Sequence, residues 1–263
     1  MRLSIHPTCT LTGKTSRYVL ISGIALSSLL PNAAAAQEEE INSEYRVTFV
    51  PTYPLSKKVF LTTYAGYVNI PSDNRVNYYA GAPLLVTYRH NQIVEAMAGA
   101  FLVFSRVDGH KDNTEFRPLA GLKLNLPNSH NLNLFSWTRY ELRTFFYDDE
   151  SLHYVRNRLR NRFAVEIPLS KNAWAPKTFY GFTDFEVFYT VEKGYFDRFR
   201  ERIGFGRVLD KHWRVEMIYH IQMLKASKDQ NPVWTDNIFR LNIKWTIPHA
   251  IHGPVPHAPD VED

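Results

Sequence analysis

The chain has almost no cysteine: its single thiol, Cys9, stands near the start. Intrachain disulfides, thiolate metal centres and cysteine nucleophiles in the body of the protein are therefore excluded. A body without thiols also suits passage through an oxidising compartment. Long apolar runs are missing as well. Beyond residue 36 no stretch approaches the roughly 18–20 apolar residues that a membrane-crossing helix needs, and 15 prolines in 263 residues oppose a mostly helical fold. No G-x-S-x-G, H-E-x-x-H or glycine-rich phosphate loop occurs, so the common hydrolase, zincin and nucleotide motifs have no carriers. Charge of one sign is not in excess either. Three of the 31 basic residues and none of the 26 acidic ones precede Gln37, so loss of that segment would lower the formal charge from +5 to +2. Such a balance gives no general case for nucleic-acid binding.

The first 36 residues read as a secretory signal. Arg2, Lys14 and Arg17 make a basic region, Val19 to Leu30 a short apolar stretch, and Ala34 and Ala36 occupy the A-x-A positions before Gln37. An uncleaved N-terminal anchor is the alternative. Residues 37–248 then form one domain without linker or internal repeat, and 249–263 form a tail containing His249, His252 and His257 among prolines, expected to be disordered.

Within 37–248 the dominant pattern is alternation with a period of two, in segments of about 10 to 14 residues separated by polar turns. Strands are expected at 44–54, 58–69, 75–88, 92–106, 114–126, 131–147, 152–167, 178–190, 196–208, 212–224 and 235–247. The fold class is therefore all-β, an antiparallel transmembrane β-barrel of 10–12 strands. An even number is expected of a bacterial single-chain barrel, so one of these segments should be split or a further one missed. Pro51 and Pro54 weaken the first segment, and Pro83 and Pro118 predict bulges.

From the sixth segment on, the two faces differ in chemistry. Arg156, Arg158, Arg160 and Arg162 share one face, opposite Val155, Leu159 and Phe163. Asp184 and Glu186 oppose Phe185, Val187 and Tyr189; Arg198, Arg200 and Arg202 oppose Phe199, Ile203 and Phe205. Arg139, Glu141 and Arg143, then Arg214, Glu216 and His220, then Arg240 and Lys244 continue the charged face on the flanking segments. An arginine facing lipid at mid-depth costs about 2–4 kcal/mol. Four on one strand would cost on the order of 10 kcal/mol, comparable to a domain's stability. In a membrane barrel the arginine face must then be the lumen, where an acidic strand between two basic ones allows cross-strand ion pairs. Asn157, Asn161 and Glu201 fall on the opposite face and call for a bulge or a position near a rim. Trp213 and Trp245 fit an aromatic girdle at one membrane surface. A soluble barrel is the alternative, with the arginine face in water and the apolar face in its core.

The succession Asn157-Arg158-Leu159-Arg160-Asn161-Arg162, Asp184-Phe185-Glu186-Val187-Phe188-Tyr189 and Phe196-Asp197-Arg198-Phe199-Arg200, leading to Arg202-Ile203-Gly204-Phe205-Gly206, resembles the bacterial domain-of-unknown-function 2490 family. The hairpin around Val208 to Trp213 and the strand ending at Trp245 continue the resemblance, which covers roughly Glu44 to Pro248. It implies an outer-membrane barrel and brings no established activity. Such chains often stop at the end of the last strand, whereas this one continues to Asp263.

Several function classes follow. One is a structural or porin-like transport protein of the outer membrane, whose lumen charge cluster comprises Arg156, Arg158, Arg160, Arg162, Asp184, Glu186, Arg198, Arg200, Arg202, Glu216 and Arg240. Another is an outer-membrane enzyme acting on lipid or envelope polymer, with Asp108, His110 and Asp112, or Asp148, Asp149, Glu150 and His153, as its loop groups. A third is a soluble periplasmic barrel that binds an apolar ligand. No catalytic residue, metal site or cofactor is assigned. The expected partners are outer-membrane lipid, lipopolysaccharide and the barrel-assembly machinery, which would read the outward residues of the last strand. Cleavage is expected after Ala36, so N-terminal sequencing of the purified protein should begin at Gln37; a sequence starting at Met1 would establish the uncleaved anchor instead.

Overall fold

The structure is a computed structural model that describes residues 41–71, 75–79, 84–107, 112–127, 132–147, 153–170 and 174–247. The segment expected to be a signal and the expected tail lie outside the described residues. The described chain is entirely strand and turn: β1 (Asn42–Pro54), β2 (Val59–Thr63), β3 (Ala65–Ile70), β4 (Arg75–Tyr79), β5 (Leu84–Arg89), β6 (Val94–Val107), β7 (Asn113–Leu126), β8 (Asn133–Tyr147), β9 (Tyr154–Pro168), β10 (Phe179–Thr190), β11 (Tyr195–Val208), β12 (Trp213–Leu224) and β13 (Val233–Thr246). β2 and β3 lie end to end against β1, broken at Tyr64, and β4 and β5 lie end to end against β6. The barrel wall therefore has eleven staves, and it closes where β13 meets β1.

The expectation of an even count fails, and the seam shows why an odd one is tolerated. All other neighbours are antiparallel, whereas β1 and β13 run parallel from Asn42↔Asp236 to Thr52↔Thr246. A parallel ladder satisfies backbone groups as an antiparallel one does, at slightly lower stability per residue. On the outside this seam is covered by rings. Phe49 stacks on Trp213 at 6.2 Å and Trp245 at 6.3 Å, the two tryptophans stack at 5.4 Å, and Phe239 lies 5.6 Å from Tyr45 and 5.3 Å from Tyr219.

The bulge expected at Pro118 does not form. On its β2/β3 side β1 pairs up to Phe49↔Ala65 and resumes at Thr52↔Thr62, so Pro51 sits where its neighbour is broken and no N–H is needed. At Pro118 the β7–β8 ladder skips from Phe116↔Thr144 to Leu119↔Glu141 with its register unchanged. Pro83 lies outside the described residues. Register shifts occur instead at Phe188/Tyr189 and Gln222/Met223.

The arginine face is the interior. Arg158, Arg160 and Arg162 are 1–3% exposed, whereas Leu159 among them and Phe163 next to them are 41% and 45% exposed. The lumen is not charged all round. Val50, Tyr64, Val68, Leu85, Phe101 and Leu119 make an apolar core along β1–β7 that reaches Phe135 and Trp137 on β8. A barrel of this size has an interior that side chains can fill, and at mid-depth Val50, Leu85, Glu141, Arg160, Phe188, His220 and Ile238 are all less than 2% or 2% exposed. On β11 the inward Gly204 and Gly206 leave space for rings from β10: a Cβ at either would stand 2.2 Å from Phe182 or Tyr180. Gly204→Ala should therefore cost about 1–3 kcal/mol by overpacking, read as a lower thermal midpoint of the purified protein. Adding Phe182→Leu should recover part of it; an unchanged midpoint in the single variant would contradict this packing.

Candidate functional site

The chemistry-bearing residues converge on the lumen between β8 and β12. β9 places arginine at every second position from Arg156 to Arg162, with Asn157, Leu159 and Asn161 between, so its guanidinium groups all enter from one stave. In register, Arg139 stands opposite Arg160 and Arg143 opposite Arg156, like charges that would repel. Glu141, 0% exposed, lies between them and resolves the conflict. It accepts from Arg158 Nε at 2.8 Å and Arg160 Nη1 at 3.0 Å and lies 2.6 Å from Arg139 Nε. Across β10, Glu186 accepts from Arg160 Nη2 at 2.7 Å and faces Arg200 at 3.9 Å. Asp184 accepts from Arg202 Nε at 2.6 Å.

Phe188 completes the arrangement. It is fully buried, and four guanidinium carbons surround its ring: Arg160 at 4.4 Å, Arg158 and Arg200 at 5.2 Å, and Arg198 at 5.8 Å. A cation over a ring face contributes about 0.5–2 kcal/mol, most when desolvated, so one ring lessens the mutual repulsion of four arginines. Arg162 lies over Trp137 at 5.1 Å and Phe135 at 5.8 Å. Farther round, Glu216 accepts from the Tyr180 hydroxyl at 2.5 Å and pairs with Lys244 at 2.7 Å, and Arg240 donates to Asn242 at 2.6 Å.

The eleven residues expected from sequence thus lie on the inner wall, but not in one contact group. Arg158, Arg160, Arg198, Arg200 and Glu186 meet around Phe188. Arg202 and Asp184 form a separate pair, Glu216 and Arg240 belong to the β12–β13 side, and Arg156 sits at the rim over Tyr154 at 5.5 Å. The residues absent from that set are Glu141, Arg139, Arg143, Glu115, Arg117 and Phe188. Glu115 binds Arg117 Nε at 2.7 Å and Arg143 Nε at 2.6 Å. Its sequence signal was the alternation Glu115-Phe116-Arg117, interrupted at Pro118.

Above Phe188 the lumen opens into a cavity of about 500 Å³. It lies at the rim that carries the β6–β7, β8–β9, β10–β11 and β12–β13 connections. Its wall includes Arg46, Arg117, Arg143, Arg156, Arg158, Arg198 and Arg200, against three carboxylates, Glu44, Glu115 and Asp236. Of the loop groups considered for catalysis, Asp108, His110, Asp148, Asp149 and Glu150 lie outside the described residues. Asp112 is exposed, 3.9 Å from Arg106, and His153 Nε2 lies 2.9 Å from the Tyr147 carbonyl. Among the described residues no group of histidines and carboxylates is arranged to hold a metal ion. The β11–β12 turn is held by Asp210, which accepts from the N–H groups of His212 at 2.7 Å and Trp213 at 2.8 Å; these bonds keep its carboxyl below the usual range.

The polar residues expected on the outer face are there, without a bulge. Asn157 accepts from the Tyr140 hydroxyl and donates to Glu192, and Asn161 donates to Thr138 at 2.7 Å and Ser136 at 3.2 Å. Glu201 stands in the ladder between Phe185 and Ile221.

An all-β closed barrel with ion pairs and arginine–ring contacts in its interior is the class that this geometry defines. The chain belongs to the family described as a protein of unknown function (DUF2490), whose profile matches residues 52–232. No curated protein and no solved structure matches it.

Three arginines, Arg139, Arg158 and Arg160, converge on Glu141, and removing one partner of a buried ion pair costs about 3–5 kcal/mol. Glu141→Ala should lower the thermal midpoint more than Glu186→Ala, and Arg160→Gln added to Glu141→Ala should restore part of the loss. Equal midpoints for wild type and Glu141→Ala would remove Glu141 from this role.

Proposed function

We propose that the chain is an outer-membrane β-barrel of structural or transport type whose outer face meets lipid and whose lumen is a closed, charge-paired core. The observation that carries this is the inversion of the two faces. Met217 is 68% and Ile203 63% exposed on the outside, whereas Arg160, Arg162 and Arg200 are 1% exposed within. In water that arrangement would leave apolar area unburied over the whole wall, at about 25 cal/mol per Å². In a bilayer it is the favourable one. Outer-membrane lipid and lipopolysaccharide are then the molecules around the barrel. The assembly machinery would read the outward residues of β13, Phe239, Leu241, Ile243 and Trp245.

The side chains filling the lumen at mid-depth favour a structural or ligand-holding role over an open pore. The protein should therefore fractionate with the outer membrane and run on unheated gels at a mobility different from that of the boiled protein. It should give no single-channel steps in planar bilayers. Recovery as a soluble periplasmic protein would overturn the location; stable conductance would overturn the closed lumen.

A further inference from the structure

Among the described residues, the rim cavity carries charge that nearby carboxylates do not balance. Seven arginines line it against three carboxylates, and Glu141 and Glu186 beneath it pair with Arg158 and Arg200, so two of the seven arginines are left without a carboxylate partner. Most of these arginines are committed to structure: Arg143 donates to Glu115 through Nε and Nη2 at 2.6 and 2.8 Å, and Arg158 is bound to Glu141. Arg156 and Arg198 differ. Among the described residues neither has a carboxylate within ion-pair distance, and each is held instead over a ring, Arg156 over Tyr154 at 5.5 Å and Arg198 over Phe188 at 5.8 Å. Ring contacts leave the N–H edges of a guanidinium available while restricting its motion, which is the condition for a preorganised anion site.

We infer that this cavity binds a small phosphate-bearing ligand, with Arg156 and Arg198 as its principal contacts. A single carboxylate would offset one charge of those two. A phosphate monoester carries about 1.5 to 2 negative charges at neutral pH, so one such group matches Arg156 and Arg198. Arginine forks fit phosphate oxygens two at a time. A volume of about 500 Å³ holds a molecule of that size. Below the cavity, Phe188, Glu141 and Arg160 fill the lumen, so the ligand is held at a blind end. The inference needs the cavity and its charge, not the membrane, and its test separates the two.

Calorimetry on the full chain folded in detergent, in 0.15 M sodium chloride, provides the test. One arm titrates sodium pyrophosphate, a free phosphate ligand. The other titrates nanodiscs containing phosphatidic acid, with phosphatidylcholine nanodiscs as reference, to present phosphate as a lipid headgroup. Saturable one-site binding in either arm, weakened at least about tenfold in Arg156→Gln/Arg198→Gln, is the expected result, and the arm that binds names the source. If the double variant fails to fold, Arg156→Lys and Arg198→Lys keep the charge and lose the fork. Each should weaken binding several-fold with an unchanged thermal midpoint. No binding in either arm, or equal affinity in wild type and folded variants, overturns the site.

Discussion

A guanidinium taken out of water costs several kcal/mol unless carboxylates and ring faces replace its hydration. Most of this fold can be understood as the solution to that problem repeated along three adjacent staves. β9 brings in Arg158, Arg160 and Arg162, β11 brings in Arg200 and Arg202, and β10 between them supplies Asp184, Glu186 and Phe188. Sheet register sets who meets whom: Glu186 has Arg162 and Arg200 as direct neighbours and reaches Arg160 diagonally. Glu141 on β8 then closes the network from the other side. Neither carboxylate nor ring alone would suffice, because each arginine is close to several others.

The same constraint explains why the interior is divided. Where carboxylates are dense, from β8 to β12, the lumen is polar. From β1 to β7 apolar inward residues pack as a core among threonines, and the charged ones pair, Glu44 with Arg46, Glu95 with Arg89, and Glu115 with both Arg117 and Arg143. The outer face needs no such partition. It carries large apolar side chains on nearly every stave, and its few polar groups mostly bind one another, as Asn161 does Thr138.

The strands were legible because period-two alternation is strong wherever one face is charged. The basic, acidic and basic segments around β10 could be assigned to faces from parity alone. Phe188 was hidden by the same logic. It shares parity with Asp184 and Glu186, but a phenylalanine on a charged face leaves no mark in a pattern that sorts residues by polarity. The apolar half of the lumen was illegible for a related reason: along β2, β5 and β6 both faces are apolar, so alternation fades. The eleven segments read from alternation are the eleven staves, but the break at Tyr64 and the parallel seam depend on how distant segments meet, which no local window records.

An odd number of staves has a topological consequence. β1 and β13 point the same way, so the described chain enters the wall at one rim and leaves it at the other. Eleven paired residues at about 3.3 Å each put those two points about 35 Å apart. A circularly permuted version could not be made with a short linker, since the joined termini would have to span the whole height of the wall. The seam also pairs segments from opposite ends of the sequence, so of all the ladders in the wall it closes the longest stretch of chain. The barrel is thus a coil of hairpins fastened by one lengthwise zip.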